Sequence, residues 1–155
     1  MSPKIALVVF IARLLGSHTN HHVKMANTYA PMILEEMDAA NSDLSPKLIS
    51  AMIMAESSFD AKGESHKGAV GLMGIMPSDP HARKYTKAQL FNPRLNIRLG
   101  LKIIEDSRND CRRIVENELG YIDPRIWLSR YAGYGCQESI YADQILATIL
   151  RIDNS

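Results

Sequence analysis

The chain has 155 residues, 46% of them hydrophobic and 23% charged, the balance of one soluble globular domain. A domain of this length buries roughly two thirds of its unfolded surface and needs no metal or disulfide staple to fold. Its formal net charge of +1 excludes a strongly basic nucleic-acid binder.

Lys4 precedes the apolar run Ile5 to Ala12, Arg13 interrupts it, and Leu14-Leu15-Gly16-Ser17 follows. A positive start and a short apolar stretch resemble a secretory leader, although no A-x-A cleavage pattern follows. The run is shorter than the about 20 apolar residues of a membrane span. A buried or amphipathic N-terminal helix is the other reading, favoured by Arg13. Residues 1–22 are therefore set apart as a leader or helix, and 23–155 form the main domain. The segment Ser17-His18-Thr19-Asn20-His21-His22 reads as a polar joint. Its histidines have no carboxylate or cysteine ligand close in sequence to make a metal site.

Tyr29, Ile33, Met37 and Ala40 recur at helical spacing and predict a helix over about 24–40. Ser45-Pro46 is a helix start, with an N-cap oxygen and then proline where no N–H is needed. Leu44, Leu48, Met52, Ala55 and Phe59 give that helix, about 46–57, an apolar face. Gly63, Gly68, Gly71, Gly74, Pro77 and Pro80 then demand loops or a short hairpin. Helical spacing returns at Ile97, Leu101 and Ile104, and again at Cys111, Ile114, Val115 and Leu119. Asp123-Pro124 starts a helix carrying Trp127, which reads as core. A last helix shows Ala142, Ile145, Ile149 and Ile152. The fold class is mostly α, with a small loop/β element around residues 60–78. Lys102, Glu105, Asp106, Arg108, Asp110, Arg112 and Arg113 read as a solvated helix face. Cys111 and Cys136 match neither CxxC nor zinc spacing; they pair in an exported protein and remain buried thiols in the cytosol.

Glu56 closes the second helix at the edge of its apolar face, just before the glycine-rich loop. Partial burial there raises a carboxyl pKa. An acid that keeps its proton near neutral pH can donate it to a glycosidic oxygen. The other reading is a solvated helix-end glutamate. Glu64 and Asp79 are further carboxylates; Glu64 as a second catalytic group would favour attack by water, and a solvated loop residue is its plainer reading. No phosphate loop, metal motif or Ser-His-Asp order is present.

Glu56-Ser57-Ser58-Phe59, followed by Gly68-Ala69-Val70-Gly71-Leu72-Met73-Gly74-Ile75-Met76-Pro77, resembles the E-S-x-F and G-x-x-G-L-M-Q-x-M-P signature of soluble lytic transglycosylases, relatives of goose-type lysozyme. Leu90-Phe91-Asn92-Pro93 with Asn96-Ile97 and Gly100 resembles the next block, L-F-D-P-x-x-N-I-x-x-G. Trp127 to Gly135 resembles the tyrosine block, A-x-Y-N-A-G or R-Y-N-G. The blocks keep the family order over about residues 25–152. This resemblance implies a lysozyme-like α+β fold, a compact helical domain whose 60–78 element forms one wall of a cleft. It implies Glu56 as the single catalytic glutamate and Ser65 in the groove near the substrate's acetamido group. Gly71, Leu72, Met73 and Gly74 would shape the cleft floor, Met76 would line the cleft, and Tyr131 would be the active-site tyrosine. Ser65 has a second reading as a turn cap, Met73 and Met76 as core packing, and the glycines as backbone geometry.

The implied activity is that of a peptidoglycan lytic transglycosylase, cleaving the MurNAc–GlcNAc bond and leaving 1,6-anhydro ends with no cofactor or metal. The alternatives are a hydrolytic muramidase of the same fold, or a catalytically weakened peptidoglycan-binding part of a secretion system or phage particle. Glycan strands are the expected partner, with a secretion, conjugation or phage assembly as the setting and no nucleic acid. The expected location is the periplasm or cell wall, or a phage. Two positions depart from the family pattern. Gly74 replaces the usual glutamine, and Ala132 replaces asparagine in the R-Y-N-G register, the register that keeps Tyr131 a tyrosine.

Overall fold

The computed structural model describes residues 1–16, 19–114 and 122–155. Its helices are α1 (Pro3–Leu14), α2 (Asn20–Ala39), α3 (Pro46–Ser57), α4 (Lys87–Leu90), α5 (Pro93–Ile114), α6 (Pro124–Tyr131) and α7 (Ile140–Asp153). The mostly α class read from the sequence is the class observed. Between Ser57 and Lys87 the chain runs as turns, crossed by two isolated bridges, Glu64 to Val70 and Val70 to Ile75. No helix among the described residues is long and apolar enough to cross a membrane.

Helices start where the sequence offers a side-chain oxygen to an orphan N–H. Ser2, Thr19, Ser45, Thr86, Asp123 and Ser139 are all N-caps, and Pro3, Pro46 and Pro124 follow three of them. One such cap corrects the sequence reading. Thr19 Oγ1 accepts the His22 N–H at 3.3 Å, so Asn20, His21 and His22 form the first turn of α2 instead of a joint. The rest of that segment, Ser17 and His18, lies outside the described residues. Helix α4 was not expected; a capping box between Thr86 and Gln89 makes it. The two apolar patterns after residue 97 share one helix, α5, and Val115 and Leu119 lie outside the described residues.

The core lies where α1, α2, α3, α5 and α7 meet. Helix α1 buries Leu7, Phe10, Ile11, Ala12 and Leu14 against α2, α3 and α7. Ile33, Ile49, Met52, Ile53, Ile97 and Leu99 fill the centre, and Trp127 is core at 2% exposure. Buried Glu36 of α2 accepts a two-pronged ion pair from Arg98 of α5, at 3.0 and 3.1 Å. The charged stretch of α5 is largely a solvated face, though Arg108 reaches Asp43 at 2.7 and 3.1 Å, Asp106 meets His81 at 2.6 Å and Asp110 meets Arg130 at 3.2 Å.

Cys111 of α5 and Cys136, in the segment between α6 and α7, form a disulfide with their Cα atoms 5.3 Å apart. This bond holds the 132–139 segment against α5. Its sequence separation of 25 residues corresponds to about 3.5 kcal/mol in the chain-entropy picture. Cys136→Ser is therefore expected to lose about 2–4 kcal/mol in urea unfolding. Reductant should lower the unmutated protein to the same level and leave the variant unchanged.

Candidate active site

Glu56 stands on the last turn of α3, and the chain turns sharply straight after it. The C-cap Ser58 has φ +52 and Phe59 has φ +62. Two consecutive left-handed residues that are not glycine cost about 1–3 kcal/mol each. Burial of Phe59 at 1% exposure, with Tyr29 tilted against its ring at 5.8 Å, offsets that strain. The Ser57 hydroxyl lies 2.9 Å from the Leu72 carbonyl and 3.1 Å from the Ile53 carbonyl, joining the helix end to the loop opposite.

That loop is a tight reversal. Val70 and Ile75 exchange backbone hydrogen bonds at 2.9 Å, and the Gly74 N–H donates to Gly71 O at 3.1 Å. Asn96 of α5, fully buried, clamps it from below. Its Oδ1 accepts from the Met73 N–H at 2.7 Å, and its Nδ2 donates to Val70 O at 3.0 Å and Leu90 O at 2.8 Å. Gly71 has φ +78, and a Cβ there would overlap the Asn96 carboxamide. Gly74 has φ +61, and a Cβ there would overlap Glu56 Oε2. The departure from glutamine at 74 thus goes with the position of the candidate acid: the carboxyl occupies space that any side chain at 74 would claim.

Glu56 is half-buried, and the Tyr141 hydroxyl of α7 donates to its Oε1 at 2.5 Å. Burial pushes the Glu56 carboxyl above the ordinary range, and the Tyr141 hydrogen bond pulls it part of the way back. Burial, then the charge of Glu56, pushes the Tyr141 phenol far above its ordinary value, so it remains a donor. Tyr131 is held up well above the ordinary range by the same causes and by Asp79. Its hydroxyl goes elsewhere, to Met73 O at 2.7 Å.

A groove runs past Glu56 in two halves of about 390 Å³ each. Glu56, Ser65, Ala69 and Gly74 line both. One half adds Asp60, Glu64 and Gly71. The other adds Lys67, Met76, Tyr131, Tyr134 and Tyr141. Ser65 serves both of its readings: its Oγ accepts the Ala69 N–H at 3.0 Å, and it faces the groove. Met76, 40% exposed, is a wall residue. Leu72 and Met73 correct the expectation of a cleft contact: both are at 0% exposure. Their side chains point into the core because the Asn96 clamp and Gly100, whose missing Cβ leaves room for Met73, draw the loop inward. Glu64 is engaged by Lys87 at 2.5 Å, and Asp79 caps a turn through the His81 N–H at 2.8 Å. Among the described residues no three His, Cys, Asp or Glu side chains gather to hold a metal ion.

Sequence reasoning missed Tyr141 and the clamp role of Asn96. The spacing that defines α7 placed Tyr141 at a helix start but gave no partner 85 residues away in the chain. A tyrosine two residues after the N-cap Ser139, heading an otherwise aliphatic face, was the available signal.

Residues 33–134, about two thirds of the chain, match the family model described as the transglycosylase SLT domain, and the chain belongs to this family. At family level this means lytic transglycosylase-type activity on peptidoglycan. Comparison with curated proteins gives no match. The matched stretch ends at Tyr134, before α7 and Tyr141.

Two substitutions test this geometry. Gly74→Ala should displace the Glu56 carboxyl from Tyr141 and lower kcat on peptidoglycan roughly 10- to 100-fold, since misplacement by about 1 Å has effects of that size. Tyr141→Phe removes the bond that favours the charged form of Glu56, so the carboxyl pKa rises further. The alkaline limb of the pH–activity profile should move to higher pH, and kcat should fall.

Proposed function

We propose that this protein is a peptidoglycan lytic transglycosylase in which Glu56 is both general acid and general base. The observation that carries the reading is one half-buried carboxyl in the middle of a groove, held by a tyrosine hydroxyl, with its pKa raised by burial. Protonated Glu56 gives its proton to the oxygen between N-acetylmuramic acid and N-acetylglucosamine, and the C1–O bond breaks. The substrate's own acetamido oxygen steadies the oxocarbenium-like centre, with the Ser65 hydroxyl near it. Ionised Glu56 then takes the proton of the muramic C6 hydroxyl, and that oxygen closes on C1 to leave a 1,6-anhydro end. No water is consumed. Intramolecular closure is favoured because effective molarities of such reactions reach about 10⁵ M or more.

Ordinary glycosidases flank the bond with two carboxylates. Here Glu64 is occupied by Lys87, and Asp60 Oδ1 accepts the Lys62 N–H at 3.0 Å, which supports a single-carboxyl route. The same proposal has the protein acting outside the cytosol, exported or phage-borne. The Cys111–Cys136 disulfide supports this, because such bonds persist in oxidising compartments.

Mass spectrometry of the released muropeptides decides the chemistry: anhydro ends are expected, and reducing ends would assign hydrolysis instead. Glu56→Gln should lower cleavage roughly 10²- to 10⁴-fold while glycan binding persists; clearing that survives this change would remove Glu56 from the mechanism. The variant also carries a stability signature. A carboxyl whose folded-state pKa is raised stabilises the fold below its unfolded pKa, about 4.3, and loses that contribution as pH rises through the folded value. Glu56→Gln cannot ionise, so its Tm should exceed that of the unmutated protein at pH 8 and not at pH 4.

A further inference from the structure

The two halves of the groove differ in charge. In the half lined by Asp60 and Glu64, every charged lining residue is acidic. In the other half, Lys67 is the one cation among the described residues that line the groove, beside Glu56. Lys67 makes no ion pair among the described residues. Its backbone is nevertheless fixed. The Ser65 N–H donates to Ala69 O at 2.8 Å, the Gly68 N–H to Ser65 O at 2.9 Å, and the Ala69 N–H to Ser65 Oγ at 3.0 Å. Lys67 thus rides on the corner of a tight turn, an exposed side chain on a hydrogen-bonded backbone. Across this half stand the Tyr134 ring, 58% exposed, and Met76. Gly133 between the tyrosines adds no side chain, and a Cβ there would meet open space.

Such a wall suits a sugar that carries an anionic appendage. Tyr134 and Met76 offer apolar surface to sugar rings, and the Lys67 ammonium lining the same half offers a charge for a carboxylate. Resting on the peptidoglycan reading above, we propose that Lys67 binds a carboxylate of the stem peptide borne by muramic acid. It thereby selects peptide-bearing over peptide-free glycan. Lys67 acts on binding and not on the bond-breaking step.

The test uses fluorescence polarisation of labelled glycan strands on full-length Glu56→Gln protein, so that strands are bound without being cut. Three strands of one length are compared: with free stem carboxylates, with those carboxylates amidated, and stripped of peptide by an amidase. The free-carboxylate strand should bind about 2- to 5-fold more tightly than the amidated one, the size expected of an exposed ion pair, and added salt should shrink that ratio. In Lys67→Glu the ratio should invert; in Lys67→Arg it should persist. Lys67 is exposed, and a Tm measurement checks that each variant is folded. An unchanged ratio in Lys67→Glu overturns the proposal. A preference for both peptide-bearing strands over the stripped one, indifferent to residue 67, overturns it as well, because the peptide is then read elsewhere. Equal binding of all three strands sinks the Lys67 assignment and leaves the function standing; binding of none sinks both.

Discussion

The carboxamide of Asn96 is the joint on which the groove depends. The 70–75 loop has one pair of strand-like hydrogen bonds and two left-handed glycines, too little to hold a shape by itself. Asn96 supplies the missing constraint from the first turns of α5, with one acceptor and two donors all satisfied inside the core. Any one of its partners left unmet would cost about 1–3 kcal/mol. The constraint passes outward from there. Met73, fixed through its N–H by Asn96, offers its carbonyl to the Tyr131 hydroxyl, and its side chain packs on Gly100. The loop, α5 and α6 are thereby registered to one another, and Gly74 is presented to Glu56.

The environment of Glu56 is a balance of two opposed effects. Burial favours the neutral acid, and the hydroxyl of Tyr141 favours the ion. In the mechanism we propose, the acid gives up a proton and later recovers one, so it needs both forms within reach. A fully apolar surround would hold the proton too firmly, and an open one would release it before substrate arrived. Because the hydroxyl comes from α7, the last helix takes part in tuning a group on α3, and the packing of α3 on α7 becomes a condition of the chemistry as well as of stability.

Much of this was legible in the chain. Ser45-Pro46, Asp123-Pro124 and the aliphatic ladder after Ile140 located three helices because capping and periodicity are local properties. The glycine-rich stretch announced loops for the same reason, and the ordered blocks around Glu56 pointed to the groove. What stayed hidden was non-local. The partners of Asn96 lie in the 70–75 loop and at Leu90 of α4, the partner of Glu56 lies on another helix, and the inward direction of Leu72 and Met73 follows from contacts that spacing does not encode. Thr19 was misread for a different reason: a polar cluster of Ser, His, Thr and Asn suits a joint and a helix cap equally, and only the hydrogen bond to His22 separates them.

The neighbouring left-handed residues after α3 have unequal freedom. Ser58 is exposed, so glycine or asparagine there relaxes the backbone at little expense. Phe59 has the same backbone conformation but is buried in the core, its ring against Tyr29. Glycine would recover about 1–3 kcal/mol of strain and forfeit about 3–5 kcal/mol of packing. An engineer seeking a sturdier protein thus finds an open position and a closed one side by side, two residues and three residues after Glu56.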